Sequence, residues 1–146
     1  MKTTNNMHQV NGSHYENLKW EPVHLYKSVN QINWFQAEPI KYISRFWNKN
    51  GVSDLDKAKH ILSMARDMGI RKPYELVVDS KFITEYCSQF GNHFNCSKRQ
   101  DINEMYFYNF TQLIIQILFA DWDRAIVNLD KIMYYFYGEE EQKICQ

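Results

Sequence analysis

An all-α fold, a compact bundle of about five to six helices behind an irregular N-terminal segment, is what this chain predicts. Three observations carry that expectation. The 146 residues hold only five glycines and three prolines. Apolar residues recur at helical spacing in several stretches, and no sustained apolar and polar alternation of the kind a half-buried strand needs is present. With 45% hydrophobic and 16% aromatic residues, a chain of this length can bury one core, so a single domain over residues 1–146 is expected.

Pro22 and Pro39 each suit the first turn of a helix, where the missing N–H has no intrahelical partner to lose, and they predict helices over 22–31 and 37–49. Ser53 followed by Asp56 resembles a capping box. Leu55, Ala58, Leu62 and Ala65 then recur on one face until Gly69, which predicts a helix over 54–68. Lys49-Asn50-Gly51 between the two reads as a turn, so residues 37–68 should fold back as an antiparallel hairpin.

Residues 69–79 read as a loop around Pro73, with a short extended piece over 75–78. Asp79 or Ser80 then caps a helix to Phe90, and the polar run 91–100 reads as a surface loop. Asp101 with Glu104 opens a long helix with Met105, Leu113, Ile114, Ile117 and Leu118 facing inward. Asp121 caps a final helix whose apolar face runs from Trp122 through Leu129 to Phe136, and Gly138 ends it. Aromatic residues extend around the circumference of these last two helices, so two readings stay open: an oligomer interface, or a well-buried central pair with tyrosines reaching the surface.

Seventeen basic residues balance seventeen acidic ones, so no global field draws the chain to nucleic acid or to an anionic membrane. Any phosphate ligand must meet a local basic site. The polar N-terminus and the absence of a long apolar run predict neither signal peptide nor membrane span. Cys87, Cys96 and Cys145 show no CxxC spacing, which predicts free thiols and a cytoplasmic location, with Cys87 as a buried inert thiol. The five histidines lack paired helical spacing, so no metal site is expected, and His60 should be exposed. No phosphate-binding loop of the GxxxxGK[ST] type is present.

On a helix over 37–49, Lys41, Arg45 and Lys49 line one stripe opposite Ile40, Ile43 and Trp47. A guanidinium fork and compact ammonium charges suit a pyrophosphate or phosphodiester. The competing reading is a solvated face on which Glu38 pairs with Lys41. Asp56 is explained by capping; Asp54 is open, either toward a metal or as an ion-pair partner that aims Arg45 or Lys49. Nearby aromatic residues such as Trp20, Trp34, Phe35 and Trp47 belong mostly to the core, with one or two available to wall a base pocket.

The spaced pattern His14-Tyr15, Lys41-Tyr42-Ile43-Ser44-Arg45, Lys49-Asn50-Gly51 and Asp54-Leu55-Asp56-Lys57-Ala58 resembles a small bacteriophage domain that occurs in phage-encoded nucleotide kinases. The likeness covers residues 14–64; residues 70–146 form an unrecognised helical extension. The resemblance implies phage origin, an infected bacterial cell as the setting, nucleotide handling, and His14, Tyr15, Lys41, Tyr42, Arg45, Lys49, Asp54 and Lys57 as ligand-binding residues. Tyr15 or Tyr42 would stack on a base or donate through its hydroxyl.

A kinase needs donor, acceptor, divalent ion and several cations around the transferred group, and this chain looks underequipped for that. The leading expectation is therefore a nucleotide-binding protein that sequesters a phosphorylated signal of cyclic dinucleotide or ADP-ribose type, as a homo-oligomer, without cofactor, nucleic acid or membrane. The alternative is a nucleoside monophosphate kinase using Mg and ATP, and the third reading is a helical module that inhibits a host enzyme. Arg45→Ala is expected to abolish ligand retention and spare the fold.

Overall fold

The computed structural model describes residues 18–73 and 75–138, and every described element is helical. Six α-helices follow in order: α1 (Pro22–Ser28), α2 (Trp34–Ile43), α3 (Val52–Asp67), α4 (Ser80–Ser88), α5 (Gln100–Leu118) and α6 (Trp122–Tyr137). Short 3-10 turns occupy Phe46–Asn48 and Gly91–His93. Helix α6 packs against both α5 and α3, α2 lies on α3, and α4 bridges α5 and α1. The buried interior is one cluster, with Leu25, Ile40, Leu55, Leu62, Phe110 and Leu129 fully enclosed. Each such large apolar side chain contributes ~1.5–3 kcal/mol relative to an exposed one.

The expected hairpin forms, but its first helix is displaced. Helix α2 begins at Trp34 because Asn33 and Gln36 close a reciprocal capping box, each side chain meeting the other's backbone N–H at 3.1 and 2.9 Å. Pro39 therefore lies inside the helix instead of in its first turn. Gln36 is fully buried and donates to the Leu118 carbonyl at 2.7 Å, which ties the hairpin to the end of α5. The helix stops at Ile43, six residues short of the expected limit at 49, so the predicted continuous stripe is broken. Helix α1 also ends early, at Ser28. Val29 is extended, and Asn30 bonds the Val77 N–H and the Glu75 carbonyl at 2.7 and 2.6 Å. Those bonds hold 75–78 as irregular chain, not a strand.

The start of α3 corrects a second expectation. Its N-cap is Gly51 at φ +55°, with no side-chain cap, and Ser53 and Asp56 form no capping box. Asp79 caps α4 through the Phe82 N–H as expected. For α5 the expected Asp101 and Glu104 cap is absent. Asn103 secures the entry instead, accepting from the Ser97 N–H at 2.9 Å and from the Tyr135 hydroxyl at 2.7 Å. Met105 is half exposed, contrary to its assignment to the core, whereas Leu113, Ile114, Ile117 and Leu118 are buried as expected. Asp121 is the N-cap residue of α6 but makes no capping bond; its carboxylate meets Arg124. Gly138 ends α6 as expected.

The run 91–100 is less superficial than its polarity implies. Phe94 is buried, and the Tyr135 hydroxyl accepts from the Cys96 N–H at 3.0 Å. Cys87 is a buried free thiol whose pKa burial pushes up to about 12, which makes it inert as expected. Cys96 is disulfide-bonded, which corrects the expectation of free thiols. Among the described residues, no helix is long and apolar enough to cross a membrane.

Candidate functional site

The turn between α2 and α3 is built around a buried charge. Asp54, in the first turn of α3, is wholly enclosed. Its carboxylate accepts from Arg45 Nε at 3.3 Å and Nη2 at 3.4 Å, and from the backbone and side-chain nitrogens of Asn50, each at 3.4 Å. The site is consistent with helix electrostatics, since an acid near a helix N-terminus meets the positive end of the macrodipole. Gly51 permits the turn: its positive φ is unfavourable for a side chain, and a Cβ there would stand 3.3 Å from the Tyr137 hydroxyl. Tyr137 in turn feels this enclosure, its pKa raised first by burial and then by the charge of Asp54.

Beside that pair, three cations gather on one ring. Lys41 Nζ and the Arg45 guanidinium carbon each lie 4.9 Å from the Tyr42 ring centroid, and Lys57 Nζ, arriving from α3, lies 5.6 Å away. Such contacts stabilise a cation by ~0.5–1 kcal/mol where water has access. Two of the three already have carboxylates: Lys41 meets Glu38 at 2.6 Å, and Arg45 meets Asp54. Lys57 has no carboxylate partner among the described residues, and the cluster keeps one net positive charge. The hairpin thus brings Lys41, Tyr42, Arg45, Asp54 and Lys57 together.

Other expected site residues fall elsewhere. Lys49 is exposed in the turn, outside the cluster, because the helix ends before it. His14 and Tyr15 lie outside the described residues. Glu38 pairs with Lys41 as the competing reading of the stripe requires, and Asp54 takes the ion-pair role that was left open. Arg45 is only 11% exposed in its side chain, so it is not the exposed helix charge whose removal was expected to spare the fold. Truncation would strand a buried carboxylate.

Sequence reasoning missed a second feature. His93 stacks on Trp47 with centroids 4.2 Å apart and planes 6° from parallel, and its pKa is lowered by burial. Trp47 belongs to an aromatic cluster with Phe46, Phe90 and Phe136, and its indole N–H is buried without a hydrogen-bond partner among the described residues. No local pattern links a histidine in a polar run to a distant tryptophan. His60 is exposed, as expected. Among the described residues no cluster of histidine, cysteine or carboxylate groups suits a metal ion.

A shallow recess of about 200 Å³ adjoins the cationic cluster, lined by Glu21, Pro22, Val23, Tyr26 and Lys41. Lys41 belongs to both. Comparison with protein-family models, curated proteins and solved structures returned no match, so the resemblance to the phage domain rests on the residue pattern alone.

Proposed function

We propose that this chain is a phage nucleotide-binding protein that holds a phosphorylated signal intact and so counteracts a host response. The observation that supports this reading is the convergence of Lys41, Arg45 and Lys57 on Tyr42, with Arg45 fixed from behind by Asp54. Held donors bind an anion at lower entropic cost than free ones. Sequestration is favoured over phosphoryl transfer because Asp54, the acid that the sequence left uncommitted, is enclosed and spent on Arg45 and Asn50. A kinase would need a carboxylate free to hold a divalent ion against the phosphates, a role that would fall to the exposed Asp56 of α3.

A helical protein-interaction module is the second reading, favoured by the exposed Met105, Tyr108, Val127 and Tyr134 on α5 and α6. In the sequestration reading those exposed side chains would meet a second copy of the chain. The two readings, and the kinase alternative, separate in one experiment. The purified protein is incubated with cyclic dinucleotides, ADP-ribose derivatives and nucleoside phosphates, freed of unbound ligand, denatured, and its ligand identified by chromatography. Sequestration predicts recovery of an unaltered nucleotide. A gain of one phosphate that requires Mg and ATP identifies the kinase, and failure to retain any nucleotide favours the interaction module.

A further inference from the structure

Resting on the nucleotide-binding reading, we infer that the site recognises a two-phosphate group and is indifferent to the base. Tyr42 is the one aromatic ring at the centre of the cluster, and cationic heads from Lys41, Arg45 and Lys57 already lie over it at 4.9, 4.9 and 5.6 Å. A base seeking that ring would have to displace a head. The ring therefore serves as a platform that positions charge, not as a stacking surface.

The heads repel one another, and among the described residues Glu38 and Asp54 are the carboxylates paired with them. One multiply charged anion lying across two heads relieves that repulsion, and a single phosphate relieves less of it. Arg45 leaves Nη1 without a hydrogen bond to a described residue, since Asp54 occupies Nε and Nη2. Lys57 has all three donors to offer.

The adjoining recess offers a nucleoside shelter without a code. Val23 presents apolar surface beside the buried Pro22, and the Tyr26 hydroxyl is spent on the Ala37 carbonyl at 2.6 Å. The Glu21 side chain accepts from the α1 backbone as part of its capping box. A base resting there meets apolar contact and few free groups able to read its edge. Discrimination between bases needs such unspent polar groups, because only they are left unpaired by the wrong base.

Isothermal titration of the full chain tests this with ADP, GDP, CDP, UDP, inorganic pyrophosphate, AMP and adenosine. The four diphosphates should bind within ~3-fold of one another, and inorganic pyrophosphate within ~10-fold of ADP, because the charge-assisted contacts are common to all five. AMP should bind ~10-fold more weakly than ADP, and adenosine not measurably. Lys57→Gln should weaken pyrophosphate and ADP by the same factor. Discrimination among the diphosphates beyond ~10-fold, or adenosine binding comparable to that of ADP, would overturn the inference while leaving nucleotide binding in place. Absence of binding by every phosphorylated compound in this panel would overturn the inference; only if cyclic dinucleotides and ADP-ribose derivatives also failed to bind would the nucleotide reading itself fall.

Discussion

Between α2 and α3 the buried polar contact is charged, Arg45 against Asp54, whereas between α5 and α6 it is neutral. There the Tyr135 hydroxyl donates to Asn103, which also holds both backbone groups of Ser97. The neutral network closes on itself, with each donor and acceptor answered from within the fold, and it leaves nothing for a ligand. The charged contact does not close. It spends two nitrogens of Arg45 and leaves a surplus of positive charge over Tyr42. A fold can fix its helices with either device, but of these two only the second leaves positive charge unbalanced by the described carboxylates.

The strongest way to break the comparison is to remove the acid. Asp54→Ala leaves the Arg45 guanidinium nearly buried without a counter-charge, and loss of one member of such a pair costs ~3–5 kcal/mol. Urea denaturation should show an unfolding free energy lower by that amount, and a loss below ~1 kcal/mol would mean that the pair is effectively a surface contact. On the neutral side, Asn103→Ala strips partners from the Ser97 N–H, the Ser97 carbonyl and the Tyr135 hydroxyl. The expected cost is ~1–3 kcal/mol for stranded polar groups, smaller than for the charged pair. Equal losses in the two variants would erase the distinction.

His93 gives the smallest effect and sharpens the contrast by its pH dependence. Burial against Trp47 lowers its pKa from the usual 6.5. Above that value the folded and unfolded chains both carry a neutral imidazole, and the contact contributes fully. As pH falls below it, the unfolded chain takes up a proton that the folded chain resists, so stability declines. Thermal unfolding between neutral and mildly acid pH should show this slope, and His93→Phe should flatten it. A slope that persists unchanged in the variant would assign the effect to another group.

The all-helical architecture, the cap at Asp79, the buried face of α5 from Leu113 to Leu118 and the stop at Gly138 were legible because each is a local matter of spacing or termination. The start of α2 differs from the expected 37 because the capping pair of Asn33 and Gln36, not Pro39, sets the first turn. Met105 was misassigned because α5 carries apolar residues nearly all round, so periodicity alone does not select its inner face. At the site, the residue types were legible and their division of labour was not. Ser53 and Asp56 fit a capping template, but Asp54 wins the buried position because closure of the hairpin brings Arg45 and Asn50 to it. The stack of His93 on Trp47 depends wholly on tertiary packing.

Lys57 is the most direct point of test, because it is exposed, lacks a carboxylate partner among the described residues, and faces Tyr42 from the opposite helix. Its replacement by alanine should leave stability within ~0.5 kcal/mol of the parent, as surface substitutions do. ADP binding by the two proteins, measured side by side at matched ionic strength, should weaken ~10-fold or more in Lys57→Ala, the loss of one charge-assisted contact. Equal binding by both proteins would contradict the claim that the cations over Tyr42 form the ligand site.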